Sequence, residues 1–234
     1  MKIAIMQPYF FPYIGYYQLM NYVDIFILYD KIQYTKRGWV NRNRIALNDK
    51  IISISLPINK DSSKLNIDQR YLADIWPDYK NKLLNKLTTS YSKAKHFKDV
   101  IHLIEYIFSY KDLRLDKFLF NSIIQIKKYL DIETKIVISS EIENNDFHLR
   151  GEKRVINLVE ACNGTVYINL SGGKNLYSKD NFKSQGINLK FLTSELLSGG
   201  RLFDKYIPNL SIIDLLMHYS KGEVRILLSK YKLS

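Results

Sequence analysis

Apolar residues first gather at positions 2–6, and Pro8 and Pro12 stop that run from continuing as a strand. The stretch 13–22 then reads as a helix whose first turn follows Pro12, a favoured place for proline. A second apolar run, 24–29, closes at Asp30. Strand, helix and strand in so short a space form a βαβ unit, which implies parallel pairing with a right-handed crossover. Positions 40–47 and 51–56, joined by Asn48-Asp49-Lys50, read as a hairpin leaving that sheet. From 67 to 130 the apolar spacing changes to three and four residues, predicting helices over 73–90, 98–110 and 115–130. The βα rhythm resumes with a strand at 135–138, a helix at 151–162, a strand at 165–168, a short helix at 178–184 and a strand at 188–192. Helices at 211–219 and 222–228 close the chain. Ser211 is the expected N-cap of the first of these, with Asp214 at capping-box spacing in place of the usual Glu.

This order predicts an α/β fold: an open, mostly parallel, doubly wound sheet of about five strands. With no internal repeat and no low-complexity linker, 1–234 reads as a single α/β domain in which 48–130 is a hairpin plus helical insertion. The insertion's spacing fits a lid over a crevice as well as a dimer face. Ligands of such sheets bind beyond the carboxyl ends of the strands, where strand order reverses; in the common order this is between the first and fourth parallel strands. The residues at the five ends are Gln7, Asp30, Ser139-Ser140, Ser171-Gly172-Gly173 and Ser194. All are polar or glycine, although turns favour the same types.

Composition narrows the classes. At 46% hydrophobic and 25% charged residues, 234 residues make an ordinary globular chain with room for a sizeable core. No apolar run approaches the roughly 20 residues that span a bilayer, and the N-terminus enters a Gln-Pro turn instead of a signal-peptide core, so a cytoplasmic protein is expected. The single Cys162 excludes an internal disulfide and reads as an inert thiol on a helix. Lys and Arg number 35 against 23 Asp and Glu, a net charge of +12 that favours anionic partners such as phosphates, sugar nucleotides or tRNA. The basic residues are scattered, and no block of like charge marks a nucleic-acid tail.

Candidate chemistry concentrates in three places. Tyr9, Phe10, Phe11, Tyr13 and Tyr16 crowd the N-terminus around two prolines, either as core packing or as a wall for a base or sugar ring. The stretch 36–44 offers Lys36, Arg37, Arg42 and Arg44 together with Trp39, Asn41 and Asn43. On a strand, Trp39, Asn41 and Asn43 point one way and Arg42 and Arg44 the other, giving two polar faces that suit a ligand edge. Arginine suits phosphate or carboxylate, and side-chain amides suit sugar hydroxyls. Ser171-Gly172-Gly173-Lys174 follows a strand and is either a phosphate cradle or a plain turn. Ser198-Gly199-Gly200-Arg201 is a similar pair in a longer loop. The four histidines, His96, His102, His148 and His218, have no metal-ligand spacing, so no metal site is expected. His218 falls four residues after Asp214, a spacing that lets a carboxylate orient a general base but equally suits a surface helix pair.

The blocks 5–16 (Ile5-Met6-Gln7-Pro8 through Pro12-Tyr13-Ile14-Gly15-Tyr16), Asp24-Ile25-Phe26, 30–34 (Asp30 to Gln33-Tyr34) and Gly38-Trp39-Val40-Asn41-Arg42-Asn43 resemble the opening of the WbqC-like family. The likeness continues at Ser139-Ser140, Gly151-Glu152-Lys153-Arg154, Tyr167, Ser171-Gly172, Gly186-Ile187 and Pro208 to Leu216. At His218-Tyr219-Ser220-Lys221-Gly222 the chain departs from the Phe-Asn-x-Gly expected there. The resemblance implies bacterial O-antigen and lipopolysaccharide biosynthesis, and a glycine transferase acting on an amino sugar. On that basis an enzyme would join an amino acid or other acyl group to the amine of a nucleotide-linked amino sugar. Gln7, Asn41, Asp30 and His218 would be its catalytic groups, with Asp30 accepting the ammonium proton. Tyr9, Phe11, Gln33, Lys36, Trp39, Arg42, Asn43, Ser139, Ser140, Lys153, Arg154, Ser171, Gly172, Gly173 and Asp214 would bind substrate. An ATP-activated amino acid, an aminoacyl-tRNA and an acyl thioester are all compatible donors. The alternative is a non-catalytic module that recognises a sugar nucleotide or a partner protein, and a third possibility is tRNA binding alone.

Overall fold

The computed structural model describes residues 1–48, 50–198 and 207–234; the Gly199-Gly200-Arg201 part of the second glycine pair lies outside them. Strand β1 (Lys2–Met6) leads through a proline-bounded loop into helix α1 (Ile14–Tyr22) and back to β2 (Ile25–Leu28). The hairpin β3 (Arg42–Leu47) and β4 (Lys50–Ser55) follows, then helices α2 (Trp76–Tyr91), α3 (Phe97–Phe108) and α4 (Leu115–Tyr129). The chain continues through β5 (Lys135–Ile138), α5 (Gly151–Ala161), β6 (Val166–Leu170), α6 (Lys179–Ser184) and β7 (Asn188–Ser194). It ends with α7 (Ile212–His218), α8 (Lys221–Leu227) and β8 (Tyr231–Leu233).

The six-stranded sheet runs β5-β2-β1-β6-β7-β8. The first five strands are parallel, and β8 joins the edge antiparallel through Leu192–Leu233 and Ser194–Tyr231 pairs. Strand order thus reverses between β1 and β6, as the sequence predicts. The closing strand β8 escapes the sequence reading, because three residues give no period to detect. Both sheet faces are covered, as a doubly wound fold requires. Ala4, Met6, Phe26, Leu28 and Ile168 point into a core shared with α1, α2, α3, α4, α7 and α8. Ile3, Ile5, Ile27 and Tyr167, one residue out of phase, pack with Val155 and Leu158 of α5 and Phe182 of α6.

The hairpin forms a separate two-stranded sheet whose first strand starts later than the sequence suggests, at Arg42, and whose second starts one residue earlier, at Lys50. Asn48 takes a φ of +48° at its tip, a backbone state asparagine tolerates better than most residues. The capping box expected at Ser211 does not close. Its Oγ accepts from Ile213 N and donates to Phe11 O, while Asp214 turns to Tyr91. A full box forms one helix later, between Ser220 and Glu223.

Candidate functional site

The loop from β1 to α1 cannot pair with the sheet through its prolines, so other segments must hold it. Phe10 N donates to Val40 O at 3.0 Å, and Ile212 N donates to Pro12 O at 3.1 Å. Asn43 Nδ2 donates to Phe10 O at 2.9 Å and to Phe11 O at 2.7 Å. Phe11 sits at φ +43°, and its carbonyl also accepts from Ser211 Oγ at 2.9 Å. Ser211 N in turn donates to Arg44 O at 2.8 Å. Three stretches far apart in sequence, 7–13, 38–44 and 209–214, are therefore tied around one left-handed turn. Gly15 serves the same loop differently. A Cβ there would lie 2.4 Å from Cε2 of Tyr13, so the glycine lets the Tyr13 ring fold against α1.

Beyond the carboxyl ends of β1 and β6 lies a cavity of about 730 Å³, within the ~300–1,000 Å³ usual for small-molecule sites. Gln7, Tyr9, Pro12 and Tyr13 come from the first loop, Tyr29 and Ile32 from the end of β2, Trp39, Asn43 and Arg44 from the hairpin, and Asn209 from the approach to α7. Ile5 and Met6 of β1, Gly151, Glu152 and Val155 of α5 and Asn169, Leu170, Gly172, Gly173, Leu176 and Tyr177 complete the lining among the described residues. Arg44 and Glu152 are the charged residues among these. The Arg44 guanidinium lies 5.1 Å from the Trp39 ring centroid and donates to Asn209 O at 3.4 Å. Glu152 accepts from Ser178 N and Asn181 Nδ2, tying α5 to the start of α6. Burial pushes the phenols of Tyr9, Tyr29 and Tyr177 above their ordinary range, with Arg154 partly opposing this at Tyr29. They face a ligand as neutral hydroxyls rather than as bases.

Of the residues singled out from sequence, Gln7, Tyr9, Tyr13, Trp39, Asn43, Arg44, Gly172 and Gly173 line this cavity. Segment 171–176 is a 3-10 turn and neither glycine takes positive φ. Gly173 is instead required for closeness, since a Cβ there would lie 2.7 Å from Asn169 Nδ2. The other residues fall elsewhere. Asp30 is buried behind the lining, accepting from Ser139 Oγ, Ser140 N and Ser140 Oγ. This occupies both of its oxygens and makes all three residues a clamp between strand ends. Asn41 joins Tyr34 Oη to Leu56 O. Arg42 donates from Nε to Gly38 O and from Nη2 to Arg37 O, closing its own loop. Trp39 precedes the strand and folds onto the arginine side, with both guanidinium groups within 5.5 Å of its centroid, so the alternation expected from 39 onward fails. Phe11 is core, Gln33 pairs with Ser63 O, Lys36 and Lys153 are exposed, and Ser171 lies beside the lining. Arg154 is buried outside the lining.

His218 is exposed, and the Asp214 carboxylate accepts instead from Tyr91 Oη at 2.7 Å, so the expected dyad is not formed. Burial raises the Asp214 pKa, against opposing effects of the Tyr91 hydrogen bond and His218. A raised carboxyl pKa means stability fully present below the ordinary carboxylate range and lost as pH rises through the raised value. Measured by urea unfolding between about pH 4 and about pH 7, wild type should therefore lose stability relative to Asp214→Asn as pH increases. A difference that stays flat or runs the other way would show that burial does not dominate.

The lining residues missed from sequence leave uneven traces. Asn169 is a polar residue inside the apolar run 166–170, and Glu152 stands in the family-like block 151–154 with no role expected of it. Tyr177 and Asn209 carry no local signal. Among the described residues, no group of three His, Cys, Asp or Glu could hold a metal ion, and no helix is long and apolar enough to cross a membrane.

No solved structure matches this chain. An uncharacterized protein of Mycobacterium tuberculosis, Rv1507c, is 28% identical over 222 residues, covering 93% of each chain. The WbqC-like protein family matches residues 7–226, which takes in the proline-bounded loop, the hairpin edge and the turn before α7 that meet at the cavity. The chain belongs to the WbqC-like protein family.

Proposed function

We propose that the cavity takes a nucleotide-linked amino sugar in bacterial surface-polysaccharide biosynthesis, and that the reaction is acylation of the sugar amine by an activated amino acid such as glycine. The observation that carries this is the lining itself: tyrosines and Trp39 as ring-stacking walls, amides for hydroxyls, and, among the described residues, Arg44 as a cation and Glu152 as a carboxylate. In the reaction the neutral amine attacks the acyl carbonyl, the C–N bond forms, and the bond to the donor's leaving group breaks. Glu152, which lines the cavity where Asp30 does not, takes the ammonium proton on a carboxylate lone pair left over beside its Ser178 and Asn181 contacts, while the Gln7 amide and neutral tyrosine hydroxyls donate to the oxyanion.

Incubation with a panel of UDP- and dTDP-amino sugars and with ATP-activated, tRNA-linked or thioester donors, read by mass spectrometry, tests this. Glu152→Gln keeps an acceptor for Ser178 and should bind sugar nucleotide normally while losing ~100-fold in turnover. Arg44→Ala should weaken binding by ~10-fold. Turnover unaffected by Glu152→Gln removes the residue from the chemistry. Among the described residues the lining holds no serine, cysteine, lysine or histidine, which favours a second reading, in which sugar nucleotides raise the melting temperature but no donor gives product.

A further inference from the structure

Arg154 is 2% exposed, and an arginine side chain stays charged at every working pH. Yet its Nε and Nη2 have no hydrogen-bond partner among the described residues, and Nη1 reaches only Phe147 O at 3.4 Å. Aromatic rings flank it, Phe147 with its centroid at 4.8 Å and Tyr29, a cavity residue, at 5.3 Å. Lys31 adds a second cation over the same Phe147 ring, at 4.5 Å. A buried charge with so little pairing is strongly destabilising unless something else neutralises it.

The helix that carries Arg154 begins at the cavity. Gly151 and Glu152 of α5 line it, and the N-cap residue, Arg150, makes no side-chain cap, so the first N–H groups of this 11-residue helix are not capped by it. Gly151 has φ +53° and open space where a Cβ would stand. A partly positive helix end and an unpaired guanidinium one turn behind it both favour an anionic ligand group, against the Glu152 carboxylate of the same turn, which Ser178 N and Asn181 Nδ2 already engage.

We propose that the first turn of α5 and Arg154 form a phosphate seat of the cavity that takes the diphosphate of a nucleotide-linked ligand, with the Phe147 ring turning aside to admit the guanidinium. Phe147 is 39% exposed and stands as the outer cover of Arg154. This rests on the sugar-nucleotide reading, but its test does not need the sugar. Isothermal titration with inorganic pyrophosphate should show salt-sensitive binding to wild type and at least ~10-fold weaker binding to Arg154→Met, which keeps the packing without the charge. The same variant should melt at a higher temperature, because the unpaired charge is gone. Equal pyrophosphate binding, or a lower melting temperature, overturns the seat. Phe147→Ala should tighten pyrophosphate binding, and unchanged or weaker binding overturns the cover. If pyrophosphate binding depends on Arg154 while no amino-sugar nucleotide binds, the seat stands and the sugar reading falls. If wild type and Arg154→Met bind sugar nucleotides equally, the sugar reading stands and the seat falls.

Discussion

Asp30→Ala should lower the unfolding free energy by about 3–5 kcal/mol, the scale of removing one member of a buried charged network. The residue is 3% exposed and follows β2, whose last residue, Leu28, pairs with Ile138 at the end of β5. Its carboxylate receives Ser139 Oγ at 2.6 Å and Ser140 N at 3.0 Å, with Ser140 Oγ on the second oxygen. Ser139 is fully buried, and Asn145 Nδ2 donates to its carbonyl at 2.6 Å, so the clamp also fixes the start of the loop leading to α5. Truncation strands these donors away from water, which costs more than the lost bonds themselves. Urea unfolding would check the value, and a loss below about 1 kcal/mol would mean the donors find other partners. Activity lost in this variant should return on cooling or with stabilising solutes, as befits a structural residue. Asp30→Asn, which keeps one acceptor, should fall between the two proteins.

The parallel sheet was legible because each of its strands is a short apolar run between helices, and burial on both faces needs nothing subtler. The location of the cavity followed from topology alone, since Gln7 and Gly172 stand at the ends of β1 and β6. Roles were harder. Asp30, Asn41 and Arg42 are polar, near strand ends and chemically suggestive, yet each is consumed by contacts to neighbours that only the fold brings close: Ser140, Tyr34 and the Gly38 carbonyl. Residue type in a dense stretch does not reveal whether a side chain is already satisfied. Glu152 also bonds its neighbours, yet it reaches the cavity through the placement of α5, which its residue type does not reveal. The hairpin's register was half visible: strand alternation holds from Arg42, but Trp39 lies outside the strand and obeys the loop.

Asn43→Ala is expected to act on stability and site together. At 5% exposure, its carboxamide makes three hydrogen bonds, two to Phe10 O and Phe11 O and one from Arg44 N at 2.8 Å. Phe11 at φ +43° holds a conformation that costs about 1–2 kcal/mol for a non-glycine residue, and these bonds are what hold it there. Losing them should cost about 2–4 kcal/mol. The loop bearing Gln7, Tyr9, Pro12 and Tyr13 should then sample other conformations, weakening any cavity ligand by ~10-fold or more even where the protein remains folded. Ser211→Ala separates the two effects, because it removes the other donor to Phe11 O, together with the side-chain cap of α7, and lies outside the cavity lining. The two substitutions share one acceptor, so their stability changes should depart from additivity by at least about 0.5 kcal/mol in a double-mutant cycle. Strict additivity would mean that the left-handed turn is held by packing of the Phe10 and Phe11 rings, 4.7 Å apart, rather than by the amide and the hydroxyl that converge on its carbonyl.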